Sequence, residues 1–222
     1  MQHEAPTPKN PERVDTFDEN FTFMGATARE IAHQHGLWHQ AVHCWIVRTT
    51  ATPSVLLQLR SAQTSFFPGR LDITAAGHVA AGEGKEAVVR EVQEELNVVA
   101  EYSALIDLGV KIDVGRFGDI TNREFASVFL WDRPEPLTSY TPNPEEVAGL
   151  FEISIAEGLR LFAGETNQAM ADGIVWNPEA GAWCPDQRVI TTEDFVPRID
   201  PYYFRIFIAA DRFIKGERHL TI

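Results

Sequence analysis

The stretch "GHVAAGEGKEAVVREVQEELNVVA", residues 77–100, limits what this chain can fold into more than any other. It puts Glu91, Glu94 and Glu95 on one helix, with Arg90 just before them. These positions are related as i, i+3 and i+4, so they share a face. Val88, Val89, Val92 and Leu96 form a neighbouring stripe suited to packing on a sheet. Like charges this close weaken a helix. A hard cation such as Mg²⁺ or Mn²⁺ compensates them, because such ions prefer oxygen ligands. Solvated glutamate-rich faces with i,i+4 ion pairs are also common, and "EVQEE" alone favours that plainer reading. Ahead of the helix, Gly77, Gly82 and Gly84 permit a tight loop through which a backbone carbonyl can complete a cation site.

The rest of the chain reads as strands interrupted by a few helices. "VDTFDENFTFMG" suits a hairpin, and Thr27 with Glu30 forms a capping-box pattern for a short helix ended by Gly36. "HQAVHCWIVRT", "SVLLQLRS", "YSALIDLGVKIDV", "REFASVFLW" and "EVAGLFEIS" read as strands, and "IAEGLRLFAGE" as a helix. "IVWNPEAGAWCPDQRVI" suits a small hairpin. "DPYYFRIFIAADRFIKGE" is an amphipathic helix, with Pro201 at its start and Gly216 near its end. Its apolar face suits packing on the sheet and a homodimer contact equally. The order predicts a mixed sheet with helices packed on it.

The glutamate helix and its loop resemble the Nudix box. Gly77 is followed by five residues and Glu83, and then by "REVQEELNV", which carries Arg90, Glu91, Val92, Glu94, Glu95 and Val98. Only six residues separate Glu83 from Arg90, one fewer than in the family pattern, and Asn97 stands where the family has glycine. Asn also tolerates a left-handed helix end. "LWHQAVHCWIV", "VLLQLRS", "FFPGRLDITAAGHVAAGE" and "EEVAGLFEIS" resemble the branch that includes isopentenyl-diphosphate isomerase.

That resemblance implies an α/β/α sandwich with a mixed sheet over residues 14–162. A disordered tail precedes it at 1–13, and a C-terminal extension with a terminal helix, 163–222, follows it. It implies a hydrolase that cleaves a diphosphate in a nucleoside diphosphate linked to another moiety, or in a related small organic diphosphate. Glu91, Glu94 and Glu95 would hold Mg²⁺ or Mn²⁺, aided by the carbonyl of Ala76 or Gly77. Glu94 or Glu91 would orient or deprotonate water, and Arg90 would hold a glutamate in place. Glu124 falls where the isomerase branch has a metal-binding, acid–base glutamate, and His39 and His78 match its histidine ligands. Glu146 lies where some members place a catalytic loop carboxylate. One alternative is isomerase activity, which the resemblance ties to a cysteine before the Gly-His pair. Ala76 occupies that place and cannot move a proton at carbon. The other alternative is a nucleotide-binding module without hydrolysis.

The formal net charge of −13 disfavours a nucleic-acid polymer as partner. It leaves small diphosphates open, since a metal supplies positive charge. No apolar run reaches membrane-spanning length. Two cysteines, Cys44 and Cys184, without metal-type spacing, read as a reducing, cytoplasmic setting. Cys44, inside "VHCWIV", is expected to pack as a small hydrophobe. Phe66, Phe67, Trp38, Trp176 and Phe117 are candidate stacking platforms for a base.

Overall fold

The computed structural model describes residues 12–118 and 120–222, apart from the side chain of Phe117. The expected tail at 1–13 therefore falls almost wholly outside the described residues, and Arg13 already begins the first strand. The elements run β1 (Arg13–Phe17), β2 (Phe23–Ala28), α1 (Arg29–His35), β3 (Trp38–Arg48), β4 (Ser54–Arg60), β5 (Leu71–Asp72), β6 (Ala75–His78) and α2 (Ala87–Leu96). They continue with β7 (Leu105–Phe117), β8 (Ile120–Asp132), β9 (Val147–Ser154), α3 (Ile155–Phe162), β10 (Ala169–Asn177), β11 (Ala182–Ile190) and α4 (Tyr202–Ile214).

All the described strands join one mixed sheet whose longest path is β11-β10-β9-β4-β3-β1-β2. β3 is its hub. β8 runs parallel to β3 along one edge, from His39↔Glu124 to Val47↔Asp132. β6 takes residues 41–44 on the other edge, and β4 takes Val47 and Arg48. β7 then pairs antiparallel with β8.

Alternation along the strands divides the core into two layers. Trp45 and Val47 of β3, with Val55 and Leu57 of β4, pack with Leu161, Tyr202, Ile206 and Phe207 of α3 and α4. Val42, Cys44 and Ile46, with Leu56, pack with Val88, Val92 and Leu96 of α2. The result is α2 on one face and α3 with α4 on the other, the α/β/α sandwich expected from the resemblance. Cys44 is fully buried in the second layer, as a small hydrophobe should be. The hairpin read at 174–190 is the β10–β11 pair, and it continues the sheet beyond β9.

One local expectation fails. Thr27 does not cap α1. It lies in β2 paired with Val14, and α1 begins after Ala28 with no side-chain cap. Ladder pairing of the β1–β2 hairpin runs to Ala28 and takes the residue that the capping pattern requires. The helix does end at Gly36 in the left-handed conformation.

Gly158 marks the closest approach of α3 to α4: a Cβ there would lie 2.0 Å from the Phe207 ring. Gly158→Ala gains helix propensity but overpacks this contact, so it should destabilise the fold by about 1–3 kcal/mol. Urea unfolding of the two proteins measures this, and equal or higher stability of the variant would contradict it.

Candidate active site

α2 begins one loop after β6, so its carboxylates face the end of that strand. The valine and leucine stripe anchors the helix to the sheet. Glu91 and Glu95, four residues apart, turn inward with the stripe and are buried, whereas the Glu94 side chain is 52% exposed. Asn97 ends α2 in the left-handed conformation, φ 54°, as its residue type allows.

Arg90 gathers the box. Its Nη1 donates to Glu91 Oε1 at 2.8 Å and to Glu94 Oε2 at 2.9 Å, and its Nη2 donates to Glu83 Oε2 at 3.0 Å and to the His78 carbonyl at 3.1 Å. The loop that is one residue short still delivers Glu83 to Arg90. It closes through Glu83 N donating to the Ala80 carbonyl and Ala80 N donating to Glu83 Oε2. Gly77 leaves room for Glu91: a Cβ there would sit 2.1 Å from that carboxyl carbon and displace the side chain.

Glu95 Oε2 accepts from Ala76 N at 3.0 Å and from Gln58 Nε2 at 3.2 Å. Burial pushes its carboxyl well above the ordinary value. Burial likewise raises Glu91 to about 7 against the pull of Arg90, with Glu94 adding to the rise. Glu146 is raised by burial and by Glu94, and it lines the same cavity. Glu91, Glu94 and Glu95 all line the cavity, but the structure does not bring one oxygen from each within 4.8 Å of the others, so the expected cation ligands are neighbours here and not a closed set.

Glu124 stands in a second cluster. One ligand atom from each of His33, His39, His78 and Glu124 lies within 4.8 Å of the others. Glu124 Oε1 is 3.2 Å from His78 Nε2 and 3.6 Å from His39 Nε2, and His33 Nε2 is 3.2 Å from His78 Nε2. His39 Nδ1 lies 2.8 Å from the Leu37 carbonyl. A carbonyl only accepts, so Nδ1 donates to it and Nε2 faces Glu124. That Nε2 is buried without a hydrogen-bond partner.

Burial lowers His33 to about 4, with the charges of His78 and His39 adding. Burial alone would raise Glu124, but the adjacent His39 and His78 rings hold it well below the carboxylate range. Three imidazoles beside a carboxylate make a donor set that suits a first-row transition ion, with the Leu37 carbonyl orienting the His39 ring from behind.

Both clusters, apart from the fully buried His39, line a cavity of about 910 Å³, together with Arg60, Phe66, Phe67, Asp113 and Arg198. Of the proposed stacking platforms, Phe66 and Phe67 therefore reach the cavity. Trp38 packs on Phe125 and Trp176 on Trp183, and the Phe117 side chain lies outside the described residues. Sequence reasoning missed His33, Asp113 and Arg198 as site residues. The only trace of His33 was a local excess of histidine.

Residues 37–171 match the family model of the NUDIX domain. Over 193 residues the chain is 32% identical to an uncharacterised Nudix hydrolase of Clostridium acetobutylicum, covering 86% of this chain and 93% of that one. It is also 32% identical to an isopentenyl-diphosphate Delta-isomerase of Dinoroseobacter shibae, over 57% of this chain and 69% of that one. A crystal structure of a Deinococcus radiodurans protein superposes with a TM-score of 0.50 at 24% identity, over 69% of this chain and 90% of that one, which shows a shared fold. The chain belongs to the Nudix family, as an enzyme of its hydrolase class, and Nudix hydrolases generally use a divalent metal.

The raised carboxyls make cation binding pH-dependent. With Glu91 at about 7, the folded protein carries an extra proton below that pH, and a cation must displace it. Saturating Mg²⁺ should therefore raise the melting temperature more at pH 8 than at pH 6. Equal shifts at the two values would contradict the protonated state of these carboxyls.

Proposed function

We propose that this chain is a Mg²⁺- or Mn²⁺-dependent hydrolase that cleaves a diphosphate in a nucleoside diphosphate linked to another moiety, or in a related small organic diphosphate. The observation that carries this reading is the constellation of Arg90 with Glu83, Glu91 and Glu94, set beside buried Glu95 on the wall of a large cavity. A divalent ion there would neutralise the diphosphate and acidify bound water.

The residues divide the remaining work. Glu91 and Glu95, turned inward, hold the ion, and the backbone at Ala76 supplies the carbonyl. Glu94 is the most exposed of the three, reaches solvent, and accepts the proton of the attacking water. Arg90 fixes the relative positions of Glu91 and Glu94 through two charge-assisted hydrogen bonds from one nitrogen. Glu124, with His33, His39 and His78, forms a second cation station next to the first, linked to it through His78, whose carbonyl accepts from Arg90.

Isomerase chemistry is disfavoured. Ala76 is the residue before the Gly-His pair, and the nearest thiol on β3, Cys44, lies in the α2 core layer. The protein acts on a soluble small molecule in the cytoplasm, and no helix among the described residues is long and apolar enough to cross a membrane.

The test is phosphate release from a panel of nucleoside and non-nucleoside diphosphates, with a coupled phosphatase, in the presence and absence of Mg²⁺. Native protein should turn over at least one class. Glu94→Gln should lower kcat by roughly 10²–10⁴ while keeping its melting temperature. Tight binding without turnover by the native protein would replace the hydrolase with a nucleotide-binding module.

A further inference from the structure

The α2 face of the sheet is only partly covered. Val42, Cys44 and Ile46 of β3 pack in the α2 layer, and alternation puts Trp38 and Gln40 on the same face beyond the end of that helix. α1 does not cover them. Its His33 stands against His39 and His78, on the opposite face.

Strand registers carry an apolar row across this end. Phe23 of β2 pairs with Phe17 of β1, and Phe17 pairs with Trp38 of β3. The Trp38 ring stacks on Phe125 of β8 with centroids 4.7 Å apart. Phe125 pairs in turn with Ile112 of β7, and Val110 lies two residues along on the same face. Directly opposed residues share a face. The row therefore crosses five strands, four spacings or about 19 Å.

The two ends of the row differ in shape and charge. At one end Phe21, in the β1–β2 turn, takes φ 65°, a conformation that a bulky side chain rarely adopts. Its ring lies over the row, stacked on Phe17 at 4.7 Å and edge-on to Phe125 at 4.8 Å. With Phe23, which is 60% exposed, it forms a ridge, and Asp18 and Glu19 occupy the same turn. At the other end Val110 and Ile112 form an aliphatic shelf on the outer strand, 58% and 51% exposed. Arg123, exposed and two residues before Phe125 on the same face, flanks that shelf opposite Val114.

A second copy of the chain fits both ends. A two-fold operation sets each ridge on the other copy's shelf and each acidic turn beside the other copy's Arg123. The row carries no charged side chain, so two chains of net charge −13 meet there without opposing like charges. An interface of about 800 Å² per partner is about 32 Å across, and an apolar core about 19 Å wide inside a charged rim suits that size. The same net charge disfavours a nucleic acid or an anionic bilayer on this face. α4 does not compete for the role, because its Tyr202, Ile206 and Phe207 are buried in the core of their own chain.

We propose that the aromatic row across β2, β1, β3, β8 and β7 is a self-association surface, and that the chain forms a two-fold dimer in which the Phe21–Phe23 ridge of each copy sits on the Val110–Ile112 shelf of the other. This statement does not depend on the hydrolase reading.

Sedimentation equilibrium of the full chain tests it. Native protein should be a dimer. Phe23→Glu and Ile112→Glu should each weaken association by about tenfold or more, since each puts a charge into the apolar core of the contact. Glu19→Arg and Arg123→Glu should each weaken it, and the double reversal should regain most of the loss. Melting curves show whether each variant is folded. If either glutamate variant fails to fold, the reversal set decides, because Glu19 and Arg123 are both exposed.

A native chain that stays monomeric at about 100 μM would overturn the proposal. So would a dimer that neither Phe23→Glu nor Ile112→Glu weakens. Single reversals without effect, or a double reversal that regains nothing, would overturn the two-fold arrangement. Flotation of a monomeric native chain with phosphatidylcholine vesicles, lost in Ile112→Glu, would assign the row to a neutral bilayer instead.

Discussion

The parallel pairing of β3 with β8 is the constraint on which the rest of the molecule depends. A strand has two edges, and β8 occupies one edge of β3 over nine residue pairs. The other edge is left to β1, β6 and β4. This arrangement sets His39 opposite Glu124 and His43 opposite Ala76. It also divides the β3 side chains between two core layers, so that α2 and the α3–α4 pair must lie on opposite faces. A slip of one residue in this register would turn each histidine of β3 to the wrong face.

Upon that frame the site concentrates negative charge where burial makes it costly. Arg90 offsets Glu83, Glu91 and Glu94 from the exposed side of α2. Glu95 has only an amide side chain and a backbone N–H, which hydrogen-bond its charged form but do not neutralise it. The balance is therefore incomplete, and burial leaves the Glu95 carboxyl raised well above its ordinary value. The Glu124 cluster meets the same problem with imidazoles, whose closeness keeps the carboxylate ionised.

What was legible in the sequence was local. α2, its stripe and its Asn97 terminus follow from residues within one or two turns of each other. So do the β10–β11 hairpin and α4, with Pro201 at its start. The shared face of Glu91, Glu94 and Glu95 was only half legible. Helical spacing puts the three together, but Glu91 and Glu95 fall on the inner shoulder and Glu94 on the outer, a division that depends on where the sheet lies. The Thr27 pattern misled because a strand pairing, invisible locally, claimed that residue. His33 joins His39, His78 and Glu124 across 91 positions of sequence (33 to 124), and no periodicity encodes such a meeting.

Arg198 is the extreme case, because nothing around it in the sequence marks it as part of a site. It reaches Asp72 and Asp113 across 126 and 85 residues, and both carboxylates would be buried without full compensation if it were absent. Removing one partner from such a group leaves an uncompensated buried charge, which is far more costly than never having built the network. The C-terminal segment is thereby tied energetically to the cavity and not merely packed beside it. Tyr202 and Tyr203, the first residues of α4, extend the tie: the Tyr202 hydroxyl bonds directly to His43 while accepting from Trp45, and Tyr203 braces Asp72. α4, which closes the core layer on the face opposite α2, and the residues that shape the inner end of the cavity are consequently one structural unit, so the segment beyond the matched residues 37–171 lines the cavity as well as completing the fold.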